Sequence, residues 1–138
     1  MNQAAPEGFD PHYRKSPVTA PWEPLYSRIV DNAVQIGLWL GEAHCNSRGF
    51  VHGGVLAALA DNAMGLSYIN AGRAAGHDMQ GAVTVSLSVD YAGSAKLGTW
   101  LVIQPRVIKA GRNMGFVDAI IMADGAPVAR ASSTFRAT

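Results

Sequence analysis

Apolar residues recur along the chain with two different periods, one typical of helices and one typical of strands. From Gly53 or Gly54 to about Ala71, apolar residues occur on almost every side of a helical wheel, which predicts a buried helix. After this segment, apolar and polar residues alternate over 83–90, as in a half-buried strand. Three further strands, joined by short turns that favour antiparallel hairpins, are predicted at 100–109, 114–123 and 127–135.

The part of the chain before the helix has weaker patterns. Residues 1–21 contain four of the seven prolines, so we expect an irregular, partly disordered arm ahead of a domain at 22–138. A short helix is predicted from Trp22 to Val30, with a proline in its first turn. The alternation of apolar residues over 36–40 predicts a first strand.

The predicted order is therefore a strand, a long helix and four antiparallel strands. One curved antiparallel sheet wrapped around one central helix buries the apolar faces of all these elements in a common core. The 138 residues are enough for one such domain, so the predicted fold class is α+β.

Composition narrows the class of protein. Only 15% of the residues are charged, against roughly 25% in an average soluble protein, which favours burial of surface between copies of the chain. A net charge of +1 argues against a general nucleic-acid binder. From Lys96 onward the chain has six basic residues and two acidic ones. This excess of positive charge would suit a phosphorylated ligand. Alternatively, the basic residues are the solvated ends of strands.

Expectations about location and redox chemistry come from residues 1–10 and from the cysteine count. Residues 1–10 are polar and lack the apolar core of a secretory signal, and no apolar run reaches the ~18 residues of a membrane span. We therefore expect a cytoplasmic protein that does not act at a membrane. Cys45 is the single cysteine, so no intramolecular disulfide is expected. It has no evident partner base, so it is not expected to act as a nucleophile.

Common motifs for metals, nucleotides and serine nucleophiles are missing from the sequence. It has no G-x-S-x-G, no H-E-x-x-H, no P-loop and no dinucleotide-binding glycine pattern. His44 and His52 match no metal-binding spacing, so we expect neither a metal nor a cofactor. His12 in the arm and His77 in a loop are expected to be solvated.

Asp61 is the one acid in the predicted helix. It lies two turns from the helix start, too far to cap the helix or to gain much from its dipole. On the helical wheel it shares a stripe with small residues that allow another helix, a subunit or a ligand to approach closely: Gly54, Ala58 and Gly65. Apolar surroundings make a carboxylate more basic, which suits a general base or a nucleophile. The alternative is a hydrogen bond to a backbone group across a tight helix contact.

The sequence His52-Gly53-Gly54 comes directly before this helix. A helix N-terminus presents unpaired N–H groups and about half a positive charge, and glycine lets a substrate approach that backbone. Such an end can hold the carbonyl oxygen that becomes negative during acyl transfer. The alternative is an ordinary loop-to-helix turn capped by the histidine.

Taken together, these residues resemble the signature of a known family. Asn46-x-x-Gly49-x-x-His52-Gly53-Gly54, six further residues and then Asp61 are similar to the motif of hotdog-fold acyl-CoA thioesterases. The phenylacetic-acid-degradation branch and the mammalian thioesterase superfamily members look most alike. The resemblance covers about residues 25–136, and it continues through Thr84, Asp90-Tyr91, Ser94 to Gly98 and Lys109 to Arg112.

The resemblance implies hydrolysis of an aryl or a short- to medium-chain acyl-CoA to a carboxylic acid and CoA, without a cofactor. By position, Asp61 would activate water or attack the thioester, and the Gly53 N–H would polarise the thioester carbonyl. Asn46 and His52 would orient the thioester or the water, and Thr84 would assist Asp61.

The resemblance also implies an assembly. Two subunits pair edge to edge into one sheet with two active sites at their interface, and dimers commonly pair into tetramers. The acid and the threonine would come from one subunit, and the other three site residues from its partner. Lys109, Gly111 and Arg112 would contact the CoA nucleotide.

One feature departs from the family, and two other functions stay open. The proline-rich arm is unusually long, and it would either cover the acyl end of the pocket or have no role. On the same fold, the chain would alternatively be a non-catalytic acyl-CoA-binding or sensing protein, or an enoyl-CoA hydratase or dehydratase.

Overall fold

One long helix lies against a single antiparallel sheet in the computed structural model, which describes residues 3–138. The strands are β1 Asp10–Pro11, β2 Tyr26–Val30, β3 Ala33–Trp39, β4 Ala82–Tyr91, β5 Trp100–Ala110, β6 Met114–Ala123 and β7 Ala126–Ala137. The helix α1 spans Gly53–Ala74, and short 3₁₀ helices span Ala20–Trp22 and Glu42–His44. The strand order in the sheet is β1-β2-β3-β5-β6-β7-β4. The predicted α+β class, with one sheet and one central helix, is confirmed.

The inner side of α1 and the sheet behind it form the core. Leu56, Leu59 and Met64 of the helix are fully buried, and so are Ile36 and Leu101 of the facing strands. Burying an apolar side chain of this size stabilises the fold by about 1.5–3 kcal/mol relative to leaving it in water. None of the helices within residues 3–138 combines the length and the hydropathy that a membrane crossing requires.

The opposite side of α1 is left open. Gly54 is exposed, and Ala58, Asp61 and Gly65 are only half-buried. The prediction of a helix buried on every side is therefore wrong for the single chain, because one sheet covers only one side of a helix. The open side is the stripe of small residues that carries Asp61.

Strand β4 lies at the edge of the sheet. Within the described residues it pairs with β7 alone, since it comes last in the strand order. Its position matches the predicted strand, but the side chains expected on a buried face are not covered in the single chain. Val83 is 51% exposed, Val85 56% and Leu87 38%.

The predicted helix from Trp22 to Val30 is wrong. Most of this segment is strand β2, which forms a hairpin with β3. Asp31 and Asn32 connect the two strands with positive φ angles of 49° and 67°, the backbone that a tight two-residue hairpin turn requires. The first strand predicted at 36–40 corresponds to β3.

The described part of the arm, residues 3–21, packs against the domain. Strand β1 pairs with β2, and the backbone N–H of His12 donates to the Leu25 carbonyl at 2.9 Å. The His12 side chain is only 1% exposed, so the prediction that it is solvated is wrong. The division at residue 21 stays a prediction, and residues 1–2 of the predicted arm lie outside the described chain.

Candidate active site

Asp61 and Thr84 meet between α1 and the edge strand β4. The Thr84 hydroxyl donates a 2.7 Å hydrogen bond to Oδ1 of Asp61. The ladder between β4 and β7 is irregular between Thr84 and Ser86, and such bulges re-aim side chains. The partner of Asp61 is thus a side-chain hydroxyl, and no backbone group within residues 3–138 donates to its carboxylate.

Both residues line a cavity of about 170 Å³, which we call the acid cavity. Its apolar wall consists of Leu66, Ile69 and Phe135, with the small residues Gly65 and Ala82 beside them. Its polar wall includes Asn62 of α1 and Arg14 of the arm. Neither of these two polar residues was expected at the site from the sequence.

The start of α1 leaves one backbone donor free. His52 is the N-cap residue, and its Nδ1 accepts a 2.9 Å hydrogen bond from the Gly54 N–H. This acceptor role places the ring proton of neutral His52 on Nε2. Within residues 3–138 the Gly53 N–H has no hydrogen-bond partner, so it is available to a ligand.

The loop before α1 is folded around the side chain of Asn46. Its Oδ1 accepts from the backbone N–H groups of Arg48 at 2.9 Å and Phe50 at 3.2 Å. Gly49 has a φ of +80°, a left-handed conformation that glycine adopts without strain. Because Oδ1 holds the loop, the Asn46 amide nitrogen is the atom left for a ligand.

Tyr91 is a further residue at this end of the helix. Its hydroxyl donates to the Gly53 carbonyl, and a Cβ placed on Gly53 would come within 3.2 Å of the Tyr91 ring. Tyr91 also lines a second cavity of about 470 Å³, which we call the amide cavity, together with Asn46 and Gly53. The sequence motif includes Tyr91. The contact of its side chain with Gly53 could not be predicted from the sequence, because it depends on how β4 packs against the start of α1.

The five predicted catalytic residues thus fall into two groups in one chain. Asp61 and Thr84 line the acid cavity, Asn46 and Gly53 line the amide cavity, and none of the described residues lines both. His52 caps the helix beside the amide cavity.

The three residues predicted to bind CoA lie at the tip of the β5–β6 hairpin. Lys109 and Arg112 are exposed, and the Gly111 carbonyl accepts a 2.8 Å hydrogen bond from the Tyr68 hydroxyl. A Cβ on Gly111 would lie 2.7 Å from the Met114 carbonyl oxygen, so this turn requires glycine. None of the three lines the acid cavity or the amide cavity.

The remaining candidates for chemistry have structural partners or unsuitable properties. His44 uses both ring nitrogens, with Nδ1 accepting from the Gly41 N–H and Nε2 donating to the Trp22 carbonyl, each at 2.8 Å. Burial raises the pKa of the Cys45 thiol, which makes it a weaker source of thiolate. Within residues 3–138, no group of three His, Cys, Asp or Glu side chains is placed to hold a metal ion.

Comparison with known proteins identifies the class to which this fold and site belong. The family profile described as "Thioesterase superfamily" matches residues 48–129, and the chain belongs to this superfamily. It is 38% identical over 131 residues to PA0474 of Pseudomonas aeruginosa, provisionally named an esterase, and that match covers 94% of this chain and 95% of the relative. The predicted resemblance is confirmed.

Two further comparisons extend this result. Human acyl-coenzyme A thioesterase 13 is 34% identical over 95 residues, a match that covers 67% of this chain and 64% of the human protein. The crystal structure of smu.793 from Streptococcus mutans, bound to acetyl CoA, has a TM-score of 0.75 to this chain at 27% identity. That alignment covers 92% of this chain and 94% of the streptococcal one.

Proposed function

We propose that this protein hydrolyses acyl-CoA thioesters to a carboxylic acid and free CoA, with an aryl or a short- to medium-chain acyl group. The observation that carries the proposal is the hydrogen bond between Thr84 and Asp61, which holds a carboxylate on the open side of α1. Membership of the thioesterase superfamily supports the reaction. The name of the human relative and the acetyl CoA in the streptococcal structure support CoA as the leaving group.

In the proposed reaction, Asp61 either removes a proton from water or attacks the thioester carbonyl carbon itself. The first route forms the carboxylic acid directly, and the second forms an anhydride with Asp61 that water then hydrolyses. In both routes the carbon–sulfur bond breaks with its electron pair on sulfur, and the CoA thiolate takes up a proton that came from water. Thr84 fixes one carboxylate oxygen, so that the other points to the reacting atoms.

The Gly53 N–H would stabilise the oxyanion that forms on the thioester carbonyl. Among residues 3–138 this donor has no partner, and it lies at a helix N-terminus, where the backbone amides also provide a positive partial charge. Loss of one such donor typically costs about 10²–10³ in rate. The Asn46 amide nitrogen and the His52 Nε2–H are further donors beside it that would orient the thioester or the attacking water.

One chain alone does not complete this site. Gly53 and Asp61 are eight residues apart on α1, which corresponds to about 12 Å along the helix axis. The carbonyl oxygen and carbon of a thioester are adjacent atoms, so one group cannot reach both of these residues in the same chain. A second copy with its helix running in the opposite direction would bring its Gly53 to the first copy's Asp61.

We therefore propose a homodimer in which the open sides of two α1 helices and the β4 edges meet. The small residues of the α1 stripe and the exposed apolar side chains of β4 support this pairing, since both would be covered. We also propose that two such dimers pair into a homotetramer and that the protein is cytoplasmic. The free thiol of Cys45 fits a reducing compartment.

Lys109, Gly111 and Arg112 are proposed to contact the CoA nucleotide. Lys109 and Arg112 are exposed at the hairpin tip and carry positive charge. Neither residue lines the acid cavity or the amide cavity, so their side chains can contact another part of the substrate. Phosphate groups bind such side chains by charge-assisted hydrogen bonds.

Thiol release from a panel of aryl, short-chain and medium-chain acyl-CoAs tests the proposed function. We expect turnover by the wild-type protein and a loss of about 10²–10⁴ in kcat for Asp61→Asn, a near-isosteric change that removes the basic carboxylate. Binding of acyl-CoA with no thiol release from any substrate would instead indicate a sensing protein. Hydration of crotonyl-CoA without hydrolysis would indicate a hydratase.

A further inference from the structure

The N-terminal arm reaches the acid cavity and contributes Arg14 to its wall. The arm is fixed on both sides of this residue. On one side the His12 ring is buried and its backbone N–H donates to the Leu25 carbonyl; on the other, the Thr19 side chain is buried. The position of Arg14 at the cavity thus follows from the packing of its neighbours.

Arg14 has unused hydrogen-bonding capacity at this wall. It is exposed, and within residues 3–138 it forms no ion pair, since the three pairs found there involve other residues. A guanidinium is always charged, and its planar fork of donors matches the two oxygens of a carboxylate.

The walls of the cavity indicate what it can hold. Its volume in the single chain is about 170 Å³, and it is open to solvent on one side. Leu66, Ile69 and Phe135 provide apolar contact for a short hydrocarbon segment. The cavity therefore suits a short acyl chain with one charged end.

We propose that Arg14 is a specificity-determining residue that binds the distal carboxylate of a short dicarboxylic acyl group. The inference rests on the proposed thioester hydrolysis and names its substrate class. Asp61 at the reacting end would repel a second carboxylate in the same cavity, and the positive charge of Arg14 offsets this repulsion. A neutral acyl group of equal length makes the apolar contacts only.

Glutaryl-CoA and pentanoyl-CoA are a matched pair for the test, because their acyl groups have the same number of carbons. We expect wild type to favour glutaryl-CoA by about tenfold or more in kcat/KM, the range for a hydrogen-bonded charge pair. Arg14→Met, which keeps an apolar stem, should lower this preference at least about tenfold. Lys15→Met removes a positive charge of the same arm outside the cavity wall and should leave the ratio unchanged.

A second measurement separates this inference from the proposed function. Calorimetry measures the binding of both thioesters without turnover. We would compare the Asp61→Asn variant with the double variant Asp61→Asn/Arg14→Met. Tighter binding of glutaryl-CoA that disappears in the double variant supports the role of Arg14 even if no thioester is hydrolysed. An unchanged ratio in Arg14→Met, or an equal loss for both substrates, overturns it. In that case hydrolysis of pentanoyl-CoA by wild type and not by Asp61→Asn would leave the proposed function standing.

Discussion

The Thr84 hydroxyl donates a 2.7 Å hydrogen bond to Asp61, and this bond connects the middle of α1 to the edge strand β4. It fixes Oδ1 of the carboxylate, and within residues 3–138 Oδ2 has no hydrogen-bond partner. Because β4 lies at the edge of the sheet, the pair also lies beside the surface at which a second copy is proposed to dock. The orientation of the proposed catalytic acid therefore depends on a strand whose outer edge is unpaired among the residues that the structure describes.

Thr84→Val should lower kcat by about 10- to 100-fold with little change in KM, since a hydrogen bond to a charged group contributes about 1.5–3 kcal/mol. Thr84→Ser keeps the hydroxyl and is the matched control, which should stay close to wild type. Steady-state thiol release with one acyl-CoA gives both constants. Equal kcat values for the valine and serine variants would contradict a positioning role for Thr84.

Gly53→Ala should destabilise the fold by about 1–3 kcal/mol, the usual cost of overpacking. The added methyl would come within 3.2 Å of the Tyr91 ring, which is held by its bond to the Gly53 carbonyl. Urea unfolding of the two single variants and the double variant with Tyr91→Ala forms a double-mutant cycle. We expect Gly53→Ala to cost less in the Tyr91→Ala background, and full additivity would argue against this contact.

The stability of the protein should fall as the pH is lowered below about 7. Burial lowers the pKa of the His12 imidazole from its ordinary value of 6.5, while an interaction with Asn62 and the charge of Glu23 oppose the shift. Between the lowered folded-state pKa and 6.5, the unfolded chain binds a proton that the folded chain does not. Stability is thus fully present above this window and is lost as pH falls through it, by at most about 1.4 kcal/mol per pH unit from this group.

Replacing His12 by Gln removes this titration. The urea midpoint of wild type should fall more steeply between pH 7.5 and 5.5 than that of His12→Gln. Glutamine is neutral throughout this pH range and keeps polar atoms on the side chain, so the comparison isolates the charge of the imidazole. Parallel pH profiles for the two proteins would show that His12 does not titrate differently in the folded and unfolded states.

Cys45 should be dispensable for hydrolysis. Burial raises the pKa of its thiol, so little thiolate is present at neutral pH. Cys45→Ala is expected to retain kcat/KM within about twofold, and iodoacetamide at pH 7 should react slowly with the wild-type protein. Rapid inactivation by iodoacetamide that acyl-CoA prevents would point to a different nucleophile.

The regular periods in the sequence predicted most of the fold correctly. The long apolar helix and the alternating strands after it depend on local patterns that a single chain expresses. The strand β2 was missed because its turn consists of Asp31 and Asn32, which adopt positive φ without a glycine to mark it. The burial of His12 was missed because it depends on the arm folding back onto α1, a long-range contact.

The candidate site could be predicted only in part for a similar reason. The motif predicts Asp61, Gly53 and Asn46 as candidates, because their spacing is local. Tyr91 and Arg14 were assigned no role from the sequence, because β4 and the arm bring them to the two ends of the site. The open side of α1 was also not predicted, since a helix that packs against a second copy has the same apolar pattern as one buried in its own chain.

Mixed assemblies test the central claim most directly, namely that Asp61 of one copy and the amide cavity of another hydrolyse one thioester. Asp61→Asn removes the carboxylate. Asn46→Asp removes the donating amide nitrogen and keeps the oxygen that holds the loop. The variants are co-expressed with different affinity tags, and the mixed species is purified through both. Each variant alone should release little thiol from acyl-CoA, and the mixed species should recover roughly one quarter to one half of the wild-type rate, because one intact site forms in each mixed pair. A mixed species as inactive as its parents, or an Asp61→Asn protein as active as wild type, would contradict the account.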